Sequence, residues 1–273
     1  MSDQEAAEWH VSPVHLGKRV DLADYDPDEK GGLRKSEAKM RLQANLRRME
    51  ELQELMYAEG KHALLIVLQA MDAGGKDSTI RHVMDGFNPQ GCHVVGFGVP
   101  TEMELDHDFL WRVHPHAPPK GYVSIFNRSH YEDVLVVRVN ELVPKKVWQA
   151  RYDHINHFEK LLADSGVTIL KFYLHISKDE QKVRFQERLA RAEKNWKFNP
   201  SDLKTRAQWD DYMRAFEDVF ARCNHPWAPW YVVPGNRKWY RNLVVSTAII
   251  EAMEKMDMRY PPAAEGIEGI VIE

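Results

Sequence analysis

Short unbroken apolar runs alternate along the chain with longer stretches whose apolar positions recur every three or four residues, which predicts strands and helices in turn. From Leu33 to Glu59 a charged segment carries Leu42, Leu46, Met49, Leu52 and Leu55 on one face, the spacing of an amphipathic helix. Ala63 to Leu68 is continuous aliphatic sequence, as in a strand buried on both sides. A glycine turn follows, then a helix to about Met84 and a second strand from His93 to Phe97. Pro100-Thr101-Glu102 opens a helix expected to reach Val113, and His114 to Lys120 reads as a loop before a third strand, Gly121 to Phe126. Helices are expected at Glu132 to Leu142 and at Lys145 to Ala163, the latter with Trp148, Tyr152, Ile155, Phe158 and Leu162 at helical spacing. Val167 to His175 is a fourth strand and Lys178 to about Lys194 a basic helix. Asp202 to Ala221 is a further helix with Ser201 or Asp202 as its cap, Trp230 to Val233 a fifth strand, and Lys238 to Met256 a closing helix.

Strands alternating with helices imply one parallel five-stranded sheet wound by right-handed crossovers and covered on both faces, a three-layer α/β/α arrangement. The pattern runs without a repeat or linker, so residues 1–273 read as a single domain. An irregular segment occupies about 1–32, a helical lid about 182–206 and a tail without assignment about 261–273.

Composition narrows the function. A formal net charge of -4 argues against a general nucleic-acid or membrane-surface binder, while leaving room for a local basic patch. Cys92 and Cys223 provide no disulfide framework, no apolar leader opens the chain, and no segment has the length of a membrane span. A cytoplasmic setting follows.

The first strand empties into Gln69-Ala70-Met71-Asp72-Ala73-Gly74-Gly75-Lys76-Asp77-Ser78. Glycines at a strand-to-helix turn let backbone N–H groups surround an anion, and a lysine at the helix start adds charge, which is how a P-loop holds phosphate. The spacing departs from G-x-x-x-x-G-K-[ST], with Ala70 at the first glycine and Asp77 at the hydroxyl position. Lys76 is the leading phosphate ligand, with Gly74, Gly75, Asp77 and Ser78 around it. Asp72 would repel the same phosphates unless a cation sat between them, which makes it the candidate Mg²⁺ ligand, with Mn²⁺ able to substitute.

The third strand ends at Asn127-Arg128-Ser129-His130-Tyr131-Glu132-Asp133, where open α/β sheets place ligands. Arg128 can fork onto a phosphate, Asn127 can ligate without charge, and Glu132 and Asp133 are candidates for the missing negative charge. Ser129 or Asn127 also suits a helix cap. Beyond the fourth strand, Arg184, Arg188, Arg191, Lys194 and Lys197 recur at three- or four-residue steps, the place where kinases of this fold carry an arginine lid. His154 and His157 lack a third metal ligand at suitable spacing, and Trp227, Trp230 and Trp239 read as core or interface.

Taken together, residues 68–77, 125–135 and Trp230-Tyr231-Val232-Val233-Pro234 resemble the polyphosphate kinase 2 family, and the similarity runs from about Leu33 to Tyr260. The resemblance implies a P-loop kinase that moves the terminal phosphoryl group of inorganic polyphosphate reversibly to a nucleotide with Mg²⁺, in a homo-oligomer. Its functional residues would be Asp72, Lys76, Arg128, Arg184, Arg188 and Arg191. Asn127 stands where many members carry aspartate, which resembles the branch accepting AMP as well as ADP and puts Asp72, Asn127, Glu132 and Asp133 near the acceptor. Gly74 stands where alanine is expected and should loosen the loop slightly. Two other readings remain open: an NTP-dependent nucleoside monophosphate kinase, weakened by Asp77, and a noncatalytic phosphate or nucleotide sensor.

Overall fold

The structure is a computed structural model and describes residues 11–17, 19–266 and 270. Five strands, β1 (Ala63–Gln69), β2 (Cys92–Gly96), β3 (Val123–Asn127), β4 (Val167–His175) and β5 (Trp230–Pro234), pair in the order β2-β3-β1-β4-β5, all in parallel. The helices are α1 (Lys35–Glu59), α2 (Lys76–Val83), α3 (Glu102–Leu105), α4 (Val136–Val139), α5 (Lys145–Asp164), α6 (Lys178–Ala190), α7 (Ser201–Ala207), α8 (Trp209–Arg222) and α9 (Lys238–Glu254).

Side chains alternate across a strand, and the fully buried β1 uses both faces. Leu64, Ile66 and Leu68 pack with Met49, Leu52 and Met56 of α1, Val83 of α2 and Val245 and Ile249 of α9. Leu65 and Val67 pack on the opposite side with Tyr152 and Ile155 of α5 and Phe216, Val219 and Phe220 of α8. Two apolar layers therefore clamp the sheet, giving the expected three-layer α/β/α architecture. Burial of a large aliphatic or aromatic side chain contributes on the order of 1.5–3 kcal/mol, so these layers are the main stabilising force. Trp230 is wholly buried among them, a core residue as expected.

Four helices depart from expectation. The segment after Pro100 is helical only through α3, capped by the reciprocal Thr101 and Glu104 pair, because Asp108 turns its carboxylate onto the Leu110 N–H and diverts the backbone into turns. The segment after β3 divides into a 3-10 turn at His130–Asp133, capped by Ser129, and the short α4, which Asn140 closes by donating to the Val136 carbonyl. The basic helix stops at Ala190, where the Asn195 amide takes up the Arg188 and Leu189 carbonyls. The helix after Pro200 breaks at Gln208 into α7 and α8. Neither Ser201 nor Asp202 caps it: Asn199 accepts the Ser201 N–H, and Asp202 turns to Arg188 at 3.5 Å. Among the described residues no helix is long and apolar enough to cross a membrane.

Candidate active site

Loops leaving the carboxyl ends of the central strands meet at a cleft of about 1040 Å³. The β1 loop turns in two left-handed steps, Ala73 at φ 59° and Gly75 at φ 106°. The second is hard for any residue with a Cβ, which also would run into the Arg241 guanidinium. Gly74 is held by packing instead. A Cβ there would collide with that of Ala70 and come within 2.8 Å of the Met71 carbonyl, so glycine tightens this loop where alanine was expected and does not loosen it.

Lys76 starts α2 and donates from Nζ to the Ala70 carbonyl at 2.9 Å, bridging the loop it closes. Burial pushes its ammonium below the ordinary lysine value and Arg128 adds to this, while Asp72, Glu132 and Asp77 pull the other way. A desolvated ammonium beside a loop of N–H groups attracts an anion strongly. Asp77 lies one residue on, accepting from Asn127 Nδ2 at 2.8 Å. Asn127 therefore ties the end of β3 to the first turn of α2.

Arg128 adopts φ 63°, its N–H donates to the Leu68 carbonyl, and its Nη2 meets Asp72 Oδ1 at 3.2 Å. Burial works against its charge, but Glu132, Asp72 and Asp202 outweigh that and hold the guanidinium above its ordinary value. Glu132 sits behind the cluster, hydrogen-bonded by Gln69, and burial raises its carboxyl despite Arg128 and Lys76. Asp72, Lys76, Asp77, Arg128 and Glu132 are thus one electrostatic unit, to which Asn127 is tied by its hydrogen bond to Asp77. Asp133 is not in it: its carboxylate takes Arg151 of α5 at 2.7 Å, and it does not line the cleft.

The lid residues separate. Arg188 faces the cleft from α6, and Arg191, past the helix end, pairs with Glu193 in solvent away from the cleft. Arg184 is buried with every nitrogen engaged. Nε meets Glu180, Nη1 the Ala73 and Gly74 carbonyls, and Nη2 the Gly235 and Asn236 carbonyls, so it braces the loop from below.

Nine Lys and Arg against four Asp and Glu line the cleft, a local excess of cations in a chain of net charge -4. A polyphosphate kinase 2 model matches residues 32–261, nearly the whole chain. The chain belongs to the polyphosphate kinase 2 family. It is 56% identical over 259 residues to an AMP/ADP-polyphosphate phosphotransferase of Meiothermus ruber, covering 93% of this chain and 96% of the relative. It is 47% identical to an ADP-polyphosphate phosphotransferase of Rhodopseudomonas palustris, covering 81% and 80%. Among solved structures, a polyphosphate kinase 2 from Arthrobacter aurescens superposes with a TM-score of 0.87 at 40% identity, covering 93% of this chain and 95% of that one.

This polyphosphate kinase 2 chain also lines its cleft with residues that motif spacing did not single out: Arg81 of α2, Lys238 and Arg241 of α9, and Trp196 beside Lys197. Arg81 lies one helical turn beyond Asp77, on the helix that leaves the glycine loop, and Lys238 and Arg241 begin the last helix, so a count of cations in first turns would have found the latter two but not Arg81. Trp196, 78% exposed, follows α6 in a 3-10 turn that helical periodicity concealed. No cluster of three metal-binding side chains occurs among the described residues.

Proposed function

We propose that the protein transfers the terminal phosphoryl group of inorganic polyphosphate to AMP and ADP. The observation that carries this reading is a glycine loop and a desolvated Lys76 opening into a cleft of about 1040 Å³ dominated by cations, a lining suited to a chain of repeated anions. The names of the relatives from Meiothermus and Rhodopseudomonas supply the acceptors.

Alignment and charge neutralisation would account for catalysis, with no covalent intermediate. The loop N–H groups from Gly75 to Ser78 and the Lys76 ammonium hold donor phosphates, while the Gly74 N–H closes the loop on the Met71 carbonyl. Arg188, on the lid formed by the end of α6, the following 3-10 turn and α7, closes over the chain and excludes water. Arg128 bridges the transferring group, and Asn127 and Glu132 position the acceptor. Asp72 is a single carboxylate beside a phosphate loop, a donor set that fits Mg²⁺ or Mn²⁺, since Mg²⁺ usually takes one or two carboxylates together with substrate phosphates. Bound there, the cation would neutralise charge on the phosphates. Asp72 meanwhile keeps Arg128 oriented through their 3.2 Å contact.

The test is AMP or ADP with Mg²⁺ and either polyphosphate or ATP as donor. Polyphosphate should yield ADP and ATP, chelation should abolish turnover and added Mg²⁺ restore it. Lys76→Ala should lower kcat by at least about 100-fold, the scale for removing one transition-state donor. Transfer from ATP alone would establish a nucleoside monophosphate kinase, and no transfer from either donor a sensor.

A further inference from the structure

Beneath the glycine loop lie two guanidinium groups with opposite circumstances. Arg184 has a carboxylate, Glu180, and an acceptor for each nitrogen. Arg241, near the start of α9, is fully buried and has neither. Its Nε and Nη2 share one neutral amide oxygen, Asn242 Oδ1, at 3.2 and 2.8 Å, and Nη2 also donates to Ser78 Oγ at 3.1 Å. Nη1 has no hydrogen-bond partner among the described residues. That nitrogen is buried against Gly75, in the space a Cβ would need, and Arg241 is among the residues that border the cleft.

Buried polar atoms are almost always paired, and a buried charge without a counter-charge is costly. Burial, with Arg184 adding to it, pushes the Arg241 guanidinium down to about 9. Arg241 is therefore held short of one acceptor and one negative charge, at the spot where the loop N–H groups would seat a phosphate. Ser78 Oγ accepts from Arg241, a bond that does not use the serine's own hydroxyl proton.

We propose that Arg241 is a ligand of the donor's phosphate chain, its uncompensated cation and free Nη1 being completed by a phosphate oxygen seated over Gly75. This rests on the polyphosphate reading of the cleft and assigns one member of the donor site. The alternative is a clamp that only fastens α9 to α2 through Ser78. The two differ in sign. A clamp stabilises the empty protein, whereas an unpaired ligand destabilises it and repays this only when the anion binds.

Arg241→Met and Arg241→Lys separate them. Thermal unfolding is followed with Mg²⁺, with and without tripolyphosphate, and kcat and KM are measured for polyphosphate and for ADP. For Arg241→Met, an empty-protein Tm at or above wild type, loss of most of the tripolyphosphate shift, and a KM for polyphosphate raised about 10-fold or more are expected. The KM for ADP should stay within about 2-fold of wild type, since a residue in the donor site touches only one substrate. Arg241→Lys, keeping charge without the fork, should fall between. A lowered Tm with the full tripolyphosphate shift retained overturns the proposal in favour of the clamp. Should the Met variant fail to fold, an unchanged KM for polyphosphate in Arg241→Lys overturns it. A wild-type protein that gains nothing from tripolyphosphate overturns the polyphosphate reading itself, whereas a wild type that gains and a Met variant that gains equally overturn this assignment alone.

Discussion

At the scale of single residues, conformation decides more than identity. Gly75 is required twice over, by φ 106° and by the guanidinium against its hydrogen, so Gly75→Ala should cost about 1–3 kcal/mol in urea unfolding. His175 at the end of β4 shows the same dependence on surroundings in its titration. Burial holds its imidazole below the ordinary 6.5, against the pull of the Tyr25 backbone and Asp26, and its Nδ1 has no partner among the described residues. Because the unfolded chain takes up this proton first, the group's contribution to stability is complete above about pH 6.5 and is lost as pH falls below it. Urea midpoints between pH 7.5 and 5.5 should therefore fall more steeply in wild type than in His175→Gln. The grouping of Lys76, Asp72 and Arg128 was legible in the sequence because each stands in a motif at the end of a neighbouring strand, and the structure brings all three to one cleft. Arg241 was not, since its environment is made by the loop 166 positions earlier in the fold's winding around Gly75.

At the scale of elements, the segment after β3 is fixed by a charge network wholly inside the protein. Lys171 of β4 reaches Glu159 of α5 at 2.6 Å, the Tyr131 hydroxyl at 2.8 Å and the Cys223 carbonyl at 2.7 Å, while Tyr131 donates to Glu159 and His130 lies 3.2 Å from it. Every lysine proton is used, and the 3-10 turn directly after Arg128 is thereby bolted to β4 and α5. Lys171→Met should destabilise by about 3–5 kcal/mol by stranding the buried carboxylate, and Lys171→Met with Glu159→Leu should recover most of that. Denaturant unfolding of the single and double variants checks this. All five strands were legible within two residues at either end because unbroken apolar runs admit little else in this α/β pattern, and the Val167–His175 strand has its expected bounds. Helix ends were less legible. Asp108, Asn140 and Asn195 end or interrupt helices through side-chain hydrogen bonds, which hydrophobic periodicity does not register.

At the scale of the whole molecule, a chain of net charge -4 concentrates cations along one cleft. Screening acts on exposed charges such as Lys197 and Lys238, so raising salt from 50 to 200 mM should increase the KM for long polyphosphate several-fold while changing the KM for ADP much less. Steady-state kinetics at matched free Mg²⁺ checks this. The sheet register also has a consequence for altering this enzyme. Leu68, Asn127 and Gly96 lie on one rung across β1, β3 and β2, so the loops that line the cleft depart level with one another. Side chains beyond that rung can be exchanged without moving the platform, but a single inserted or deleted residue within β3 would turn its outer positions to the opposite face. Acceptor preference in this scaffold is therefore open to redesign by substitution and closed to redesign by length.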